Sequence, residues 1–228
     1  MSFYDLVADL YWVYKRTRGA PFAETLSGAK PGSAHPFVAE LVKEGIHERK
    51  EVLLYLVVRT LRPERVVETG VWYGWSSRAI LTALHANDRG RLTSIDLPTV
   101  GTGRTYADGT FDGIHVGAAT DTGRAVPEYL RSRWDLRVVA NPAESTAALE
   151  SAAHDGLDLF LHDSEHSYEN MSREFRIAWD GLRSHGVLYA DDINWNRAYS
   201  DFARAVGRSP HRFRLYPLRP ATVGALVK

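Results

Sequence analysis

Apolar residues at spacings of three and four open the chain: Phe3, Leu6, Val7, Leu10, Val13 and Tyr14 precede Lys15, Arg16, Arg18 and Gly19. This pattern predicts a short amphipathic helix with a basic C-terminus and a glycine stop. Residues 27–36 hold two prolines, two glycines and two serines, which predicts a loop into the main body. A second helix is predicted from Glu48 to Thr60, with Val52, Leu53, Leu56 and Val57 inward and Pro63 closing it. From Arg65 onward, short β-branched runs alternate with helical patterns, the signature of repeated βαβ units. Strands are predicted at Val66–Glu68, Leu92–Asp96, Leu136–Ala140, Leu157–Asp163 and Val187–Asp191. Helices are expected near Ser76–Asn87, Glu144–Ala153 and Tyr168–Ser184, the last stopped by Gly186. A helix near Tyr199–Val206 and two strands, Phe213–Tyr216 and Val223–Val227, complete the pattern with a terminal antiparallel pair. The expected architecture is one α/β domain over 37–228, a doubly wound and mostly parallel sheet, with 1–36 as an N-terminal helical cap. The glycine- and threonine-rich stretch from Pro98 to Pro127 has weak periodicity and is expected to close as a lid over a ligand.

Composition narrows the functions. The 228 residues carry 28 Lys plus Arg and 28 Asp plus Glu, so no net field favours a nucleic acid or an anionic membrane. The chain has no cysteine, which removes disulfides, thiolate metal sites and cysteine nucleophiles. Its longest apolar run, Val52 to Val58, is far short of the ~20 residues that span a bilayer. Asp5 and Asp9 interrupt a signal-peptide core, so a cytoplasmic location is expected. Assembly into a homo-oligomer stays open.

The first chemical motif is the strand-turn-helix run Val66 to Ser76. Its glycines allow close backbone approach, and the helix start offers free N–H groups. Trp72 stands where a dinucleotide fingerprint needs its second glycine, so the spacing is acidic-x-Gly-x-x-x-Gly. In this form the segment resembles the first motif of class I S-adenosylmethionine-dependent methyltransferases. The resemblance implies cofactor contacts at Glu68, Gly70, Trp72, Gly74 and Ser76. Asp96, at the end of the next strand, is placed to accept two ribose hydroxyls, and the resemblance gives it that role. It gives an adenine-facing role to Leu97 and adds Glu144 and Asp163 to the cofactor-binding set. Tyr73 and Trp75 are candidates for shaping the pocket, with core packing an equal reading for Trp75.

The second motif is Leu157 to Tyr168 together with Gly186 to Asp192. In the doubly wound order of that family the two strands are neighbours, about 5 Å apart, so Asp163 meets Asp191 and Asp192. Three converging carboxylates call for protons, water or a hard cation such as magnesium, calcium or manganese. The arrangement resembles metal-dependent O-methyltransferases of the catechol type and of the natural-product and macrolide-sugar type. That resemblance implies a divalent metal, Mg2+ foremost, on Asp163, Asp191 and Asp192. It makes His166 the general base in the place of a catalytic lysine, and Asp163 its companion. Asp191-Asp192 stands where the catechol type has Asp-Asn, which favours the natural-product branch. His162 is read as structural, because it points away from the face of Asp163. The implied activity is methyl transfer from S-adenosylmethionine to a hydroxyl of a small-molecule acceptor. A metal-dependent hydrolase and a non-catalytic S-adenosylmethionine-binding protein are the competing readings.

Overall fold

The computed structural model describes residues 40–98, 122–213 and 222–228, except 42 and 47, together with 104–105, 111–112 and 215. The expected N-terminal helix, the 27–36 loop and most of the expected lid lie outside the described residues. The first element, α1, spans Arg49–Leu61 and buries every residue from Val52 to Val58. Strand β1, Arg65–Thr69, follows, then α2, Trp75–Ala86, and β2, Arg91–Asp96. Two short antiparallel strands, β3 (Arg104–Thr105) and β4 (Phe111–Asp112), form a separate ladder within the expected lid segment. A 3-10 helix, Glu128–Arg133, leads into β5, Trp134–Val138. Then come α3 (Pro142–His154), β6 (Leu157–His162) and α4 (Tyr168–Gly181). The chain ends with β7 (Leu182–Ala190), α5 (Ala198–Ala205), β8 (His211–Phe213) and β9 (Val223–Val227).

The main sheet has seven strands in the order β5-β2-β1-β6-β7-β9-β8. The first five are mutually parallel and β9 runs antiparallel to both of its neighbours. This is the expected doubly wound sheet with a terminal antiparallel pair. Successive strand residues alternate between its two faces. Val66, Leu159, Leu161 and Val187 pack with α1 and α2, while Val67, Phe160, Leu188 and Leu226 pack with α3, α4 and α5. Both faces are covered, so the strands read as nearly continuous apolar runs. No helix among the described residues is long and apolar enough to cross a membrane.

Most boundaries shift by one or two residues from the sequence reading, and a few shift further. Helix α4 stops at Gly181 rather than Ser184, because Leu182 already pairs with Leu157 in the sheet. Gly186 is therefore part of β7, beside a register shift, with His185 at φ 66°. Strand β5 begins two residues early, and β8 ends at Phe213, where the sequence reading began it.

Candidate active site

At the carboxyl end of β1 the chain turns sharply. Gly70 has φ +83° and donates its N–H to the Ile95 carbonyl at 2.9 Å. A Cβ on Gly70 would lie 2.0 Å from the Asp163 carbonyl oxygen, so only glycine fits between β1 and the end of β6. Trp72 also adopts a left-handed conformation, φ 48°, and gives its N–H to Asp96 Oδ2 at 3.0 Å. Asp96 Oδ1 accepts from the Leu97 N–H at 2.9 Å. The carboxylate is thus fixed over the turn at the C-terminal end of β2. Gly74, φ +87°, caps α2 and packs against Gly123, leaving the first N–H groups of α2 at the crevice. The Trp72 ring lies 4.6 Å from that of Tyr73 and is 43% exposed. Trp75 is 45% exposed as well, so it does not serve the core.

Three of the residues expected at the cofactor make hydrogen bonds within the protein. Glu68 is fully buried beneath the turn, where it accepts from Ser76 Oγ and Ser77 Oγ at 2.5 Å and Ser94 Oγ at 2.7 Å. The indole N–H of Trp134 in turn donates to Ser94 Oγ at 2.8 Å. Glu68 and the Ser76 hydroxyl therefore tie β1, α2, β2 and β5 together beneath the turn. Burial pushes the Glu68 carboxyl up to about 7 against the pull of the three serine hydroxyls. Glu144 is exposed and closes a capping box: it accepts from the Ala140 N–H and Asn141 Nδ2, while Asn141 Oδ1 accepts from the Ala143 and Glu144 N–H groups. Its carboxylate is committed to the start of α3.

The acidic residues do converge. Strands β6 and β7 run side by side to His162 and Ala190, and the Asp191 N–H reaches the His162 carbonyl at 2.9 Å. Asp163, Asp191 and Asp192 follow directly, with Asp192 at φ 45° and its N–H on Asp191 Oδ1 at 2.8 Å. Lys50, in the first turn of α1, lies among them. Its Nζ is 2.5 Å from Asp191 Oδ2 and 3.7 Å from Asp192 Oδ1. Burial would lower its pKa, but the charges of Asp191, Asp192 and Asp163 more than offset this and leave it raised. Asp163 is pushed well above the ordinary carboxylate range, first by burial and then by the Asp191 charge, with Lys50 opposing. His166 is buried, its ring 5.3 Å from His162 and 5.0 Å from Trp195, and its Nε2 is 3.8 Å from Asp163 Oδ1.

The expected divalent metal does not fit this arrangement. Among the described residues, no set of three carboxylate or imidazole side chains is disposed to hold an ion. A lysine ammonium has taken the position between the carboxylates instead. Lys50 escaped the sequence reading, although its place three residues before Leu53 and seven before Val57 puts it on the inward stripe of α1.

A second missed residue is Glu174 on α4. It accepts from Thr69 Oγ1 at 2.5 Å and Ser164 Oγ at 2.9 Å, and lies 2.7 Å from His162 Nδ1. Burial alone would raise its pKa, but these donors hold it below the usual value. The fully buried His162 thus has the structural role expected of it, linking β6 to α4.

Comparison with known proteins agrees with the fold. An O-methyltransferase from Bacillus cereus, in complex with SAH, superposes with a TM-score of 0.53 at 15% identity over 97% of both chains. The O-methyltransferase TomG from Streptomyces achromogenes, involved in tomaymycin synthesis and in complex with SAM, gives 0.54 at 17% identity over 100% of this chain and 99% of that one. A methyltransferase from Geobacter sulfurreducens gives 0.56 at 18% identity over 90% of this chain and 93% of that one. A search of curated protein sequences found no match. Residues 67–193, more than half of the chain and the span from β1 to just past the acidic cluster, match the profile of a family described as a methyltransferase domain, and the chain belongs to that family.

Proposed function

We propose that the protein transfers a methyl group from S-adenosylmethionine to a hydroxyl oxygen of a small molecule, of the natural-product kind. One observation carries this reading: the glycine turn and the acidic cluster share a backbone contact, Gly70 against Asp163, so donor and acceptor sites adjoin. The structural neighbours described as O-methyltransferases, one of them engaged in tomaymycin synthesis, support the choice of oxygen and of acceptor class.

When bound, S-adenosylmethionine supplies a methyl carbon on a sulfonium, which is already a good leaving group. Asp96 receives the ribose hydroxyls, and the N–H groups at the start of α2 face the crevice beside it. Asp163 stands at the boundary between the two sites, with the imidazole of His166 3.8 Å from its Oδ1. His166 takes the proton of the acceptor hydroxyl. Rate enhancement comes mainly from positioning and from excluding water.

Calorimetry with S-adenosylmethionine, followed by transfer of a tritiated methyl group to a panel of phenols, sugars, amines and thiols, tests the proposal. Binding and methylation confined to hydroxyl compounds are expected. No cofactor binding, or labelling of amines or thiols alone, sinks it. In the same assay His166→Ala is expected to slow transfer by about 10²–10⁴-fold without loss of cofactor affinity. Full activity in that variant removes His166 from the proton path.

A further inference from the structure

The acidic cluster contains its own cation. Lys50 lies in the first turn of α1, where the positive end of the helix dipole disfavours a basic side chain. Nothing in the packing of α1 calls for an ammonium there; the compensation comes from the ends of two strands more than 100 residues away in sequence. The ammonium touches Asp191 at 2.5 Å and Asp192 at 3.7 Å, and Asp163 is near enough for its charge to act on it. The lysine side chain is still 42% exposed. A second donor lies near the same carboxylates. The Tyr189 hydroxyl is buried, has no hydrogen-bond partner among the described residues, and is raised in pKa by burial and by the charges of Asp191 and Asp163. A buried hydroxyl without a partner is costly, and a ligand oxygen arriving at the cluster would satisfy it.

We infer that Lys50 is the built-in cation of the acceptor site, where its ammonium takes the place of a divalent metal among Asp163, Asp191 and Asp192 and binds the oxygen that receives the methyl group. The inference rests on the methyltransferase reading above and deepens it. The ammonium does what a metal would do electrostatically: it keeps three carboxylates together and stabilises negative charge developing on the acceptor oxygen. Unlike a metal it donates directed hydrogen bonds and is delivered by a helix. In the transfer step the acceptor O–H bond breaks with its proton passing to His166. An O–C bond forms as the sulfur–carbon bond breaks, and Lys50 keeps all its protons.

The test is a Mn2+ titration of the full chain with saturating S-adenosylmethionine, with free Mn2+ counted by electron paramagnetic resonance. Wild-type protein is expected to remove no Mn2+ at equimolar concentration. Lys50→Met, which vacates the space between the carboxylates, is expected to bind about one Mn2+ per chain and to lose it again when Asp191→Asn is added. Lys50→Gln provides a second neutral variant, with circular dichroism confirming the fold of each. Stoichiometric binding by wild type overturns the inference, and so does absence of binding by both folded neutral variants. Cofactor binding is measured in the same samples, so loss of the underlying methyltransferase reading is seen separately from the Mn2+ result.

Discussion

Glu68 carries the largest burden of any single residue near the crevice. It has no exposure, holds three serine hydroxyls, and has its carboxyl raised from 4.5 to about 7. A group that holds its proton more tightly when folded stabilises the fold fully below its unfolded pKa, and that contribution is lost as pH rises through the folded value. Wild-type stability is therefore expected to decline between about pH 4.5 and 7 through this residue. Glu68→Gln removes the titration and should flatten that part of the curve, as measured by urea unfolding at pH 5, 6, 7 and 8. Parallel curves for the two proteins would show that Glu68 stays ionised throughout. Asp96 makes a different prediction. Asp96→Ala removes the carboxylate placed for two ribose hydroxyls and should weaken S-adenosylmethionine binding by roughly 1.5–3 kcal/mol, the range for charged hydrogen bonds. Unchanged affinity by calorimetry would reassign the ribose site. Both acids stand out in the sequence by their spacing from Gly70 and from the strand ends. What spacing does not reveal is depth: Glu68 lies under the turn and Asp96 over it, and that difference arises only when β2 and β5 supply Ser94 and Trp134 below.

Among the elements, the β1–α2 turn has the narrowest tolerance. Gly70→Ala forces a side chain into a left-handed conformation, at a cost of about 1–3 kcal/mol, and drives a Cβ into the Asp163 carbonyl. A fall in melting temperature together with a more than tenfold loss of cofactor affinity is expected. A drop in stability with full affinity would mean that the turn relaxes without moving the crevice. Most elements were legible from periodicity. Val66–Val67, Leu159–Leu161 and Val187–Leu188 are apolar because both sheet faces are covered, and the helices between them show their stripes. The end of α4 was not, because polar Arg183, Ser184 and His185 continue a helical reading until the pairing of Leu182 with Leu157 stops it. Lys50 was missed for a related reason. A lysine in a first helical turn reads as solvated surface until α1 is docked against the end of β7.

At the scale of the whole molecule, the last two strands close the sheet beyond β7. Strand β9 pairs with β7 through Val187, Leu188, Tyr189 and Ala190, and Tyr199 ties this corner by donating from its hydroxyl toward the carbonyls of His211 and Ala225. Removing 207–228 would leave β7 as a long apolar edge, a template for pairing with another chain. Aggregated or oligomeric material is expected on size exclusion with light scattering. A soluble, monodisperse truncated form would show that β9 is not needed as cover. The meeting of Gly70 with the backbone of Asp163 has a wider consequence. On the proposed function, the donor and acceptor sites adjoin through main chain, so their spacing does not depend on any one side chain. If methyl transfer takes place across this contact, a change of side chain around the acceptor would alter which molecule is modified while leaving that spacing in place.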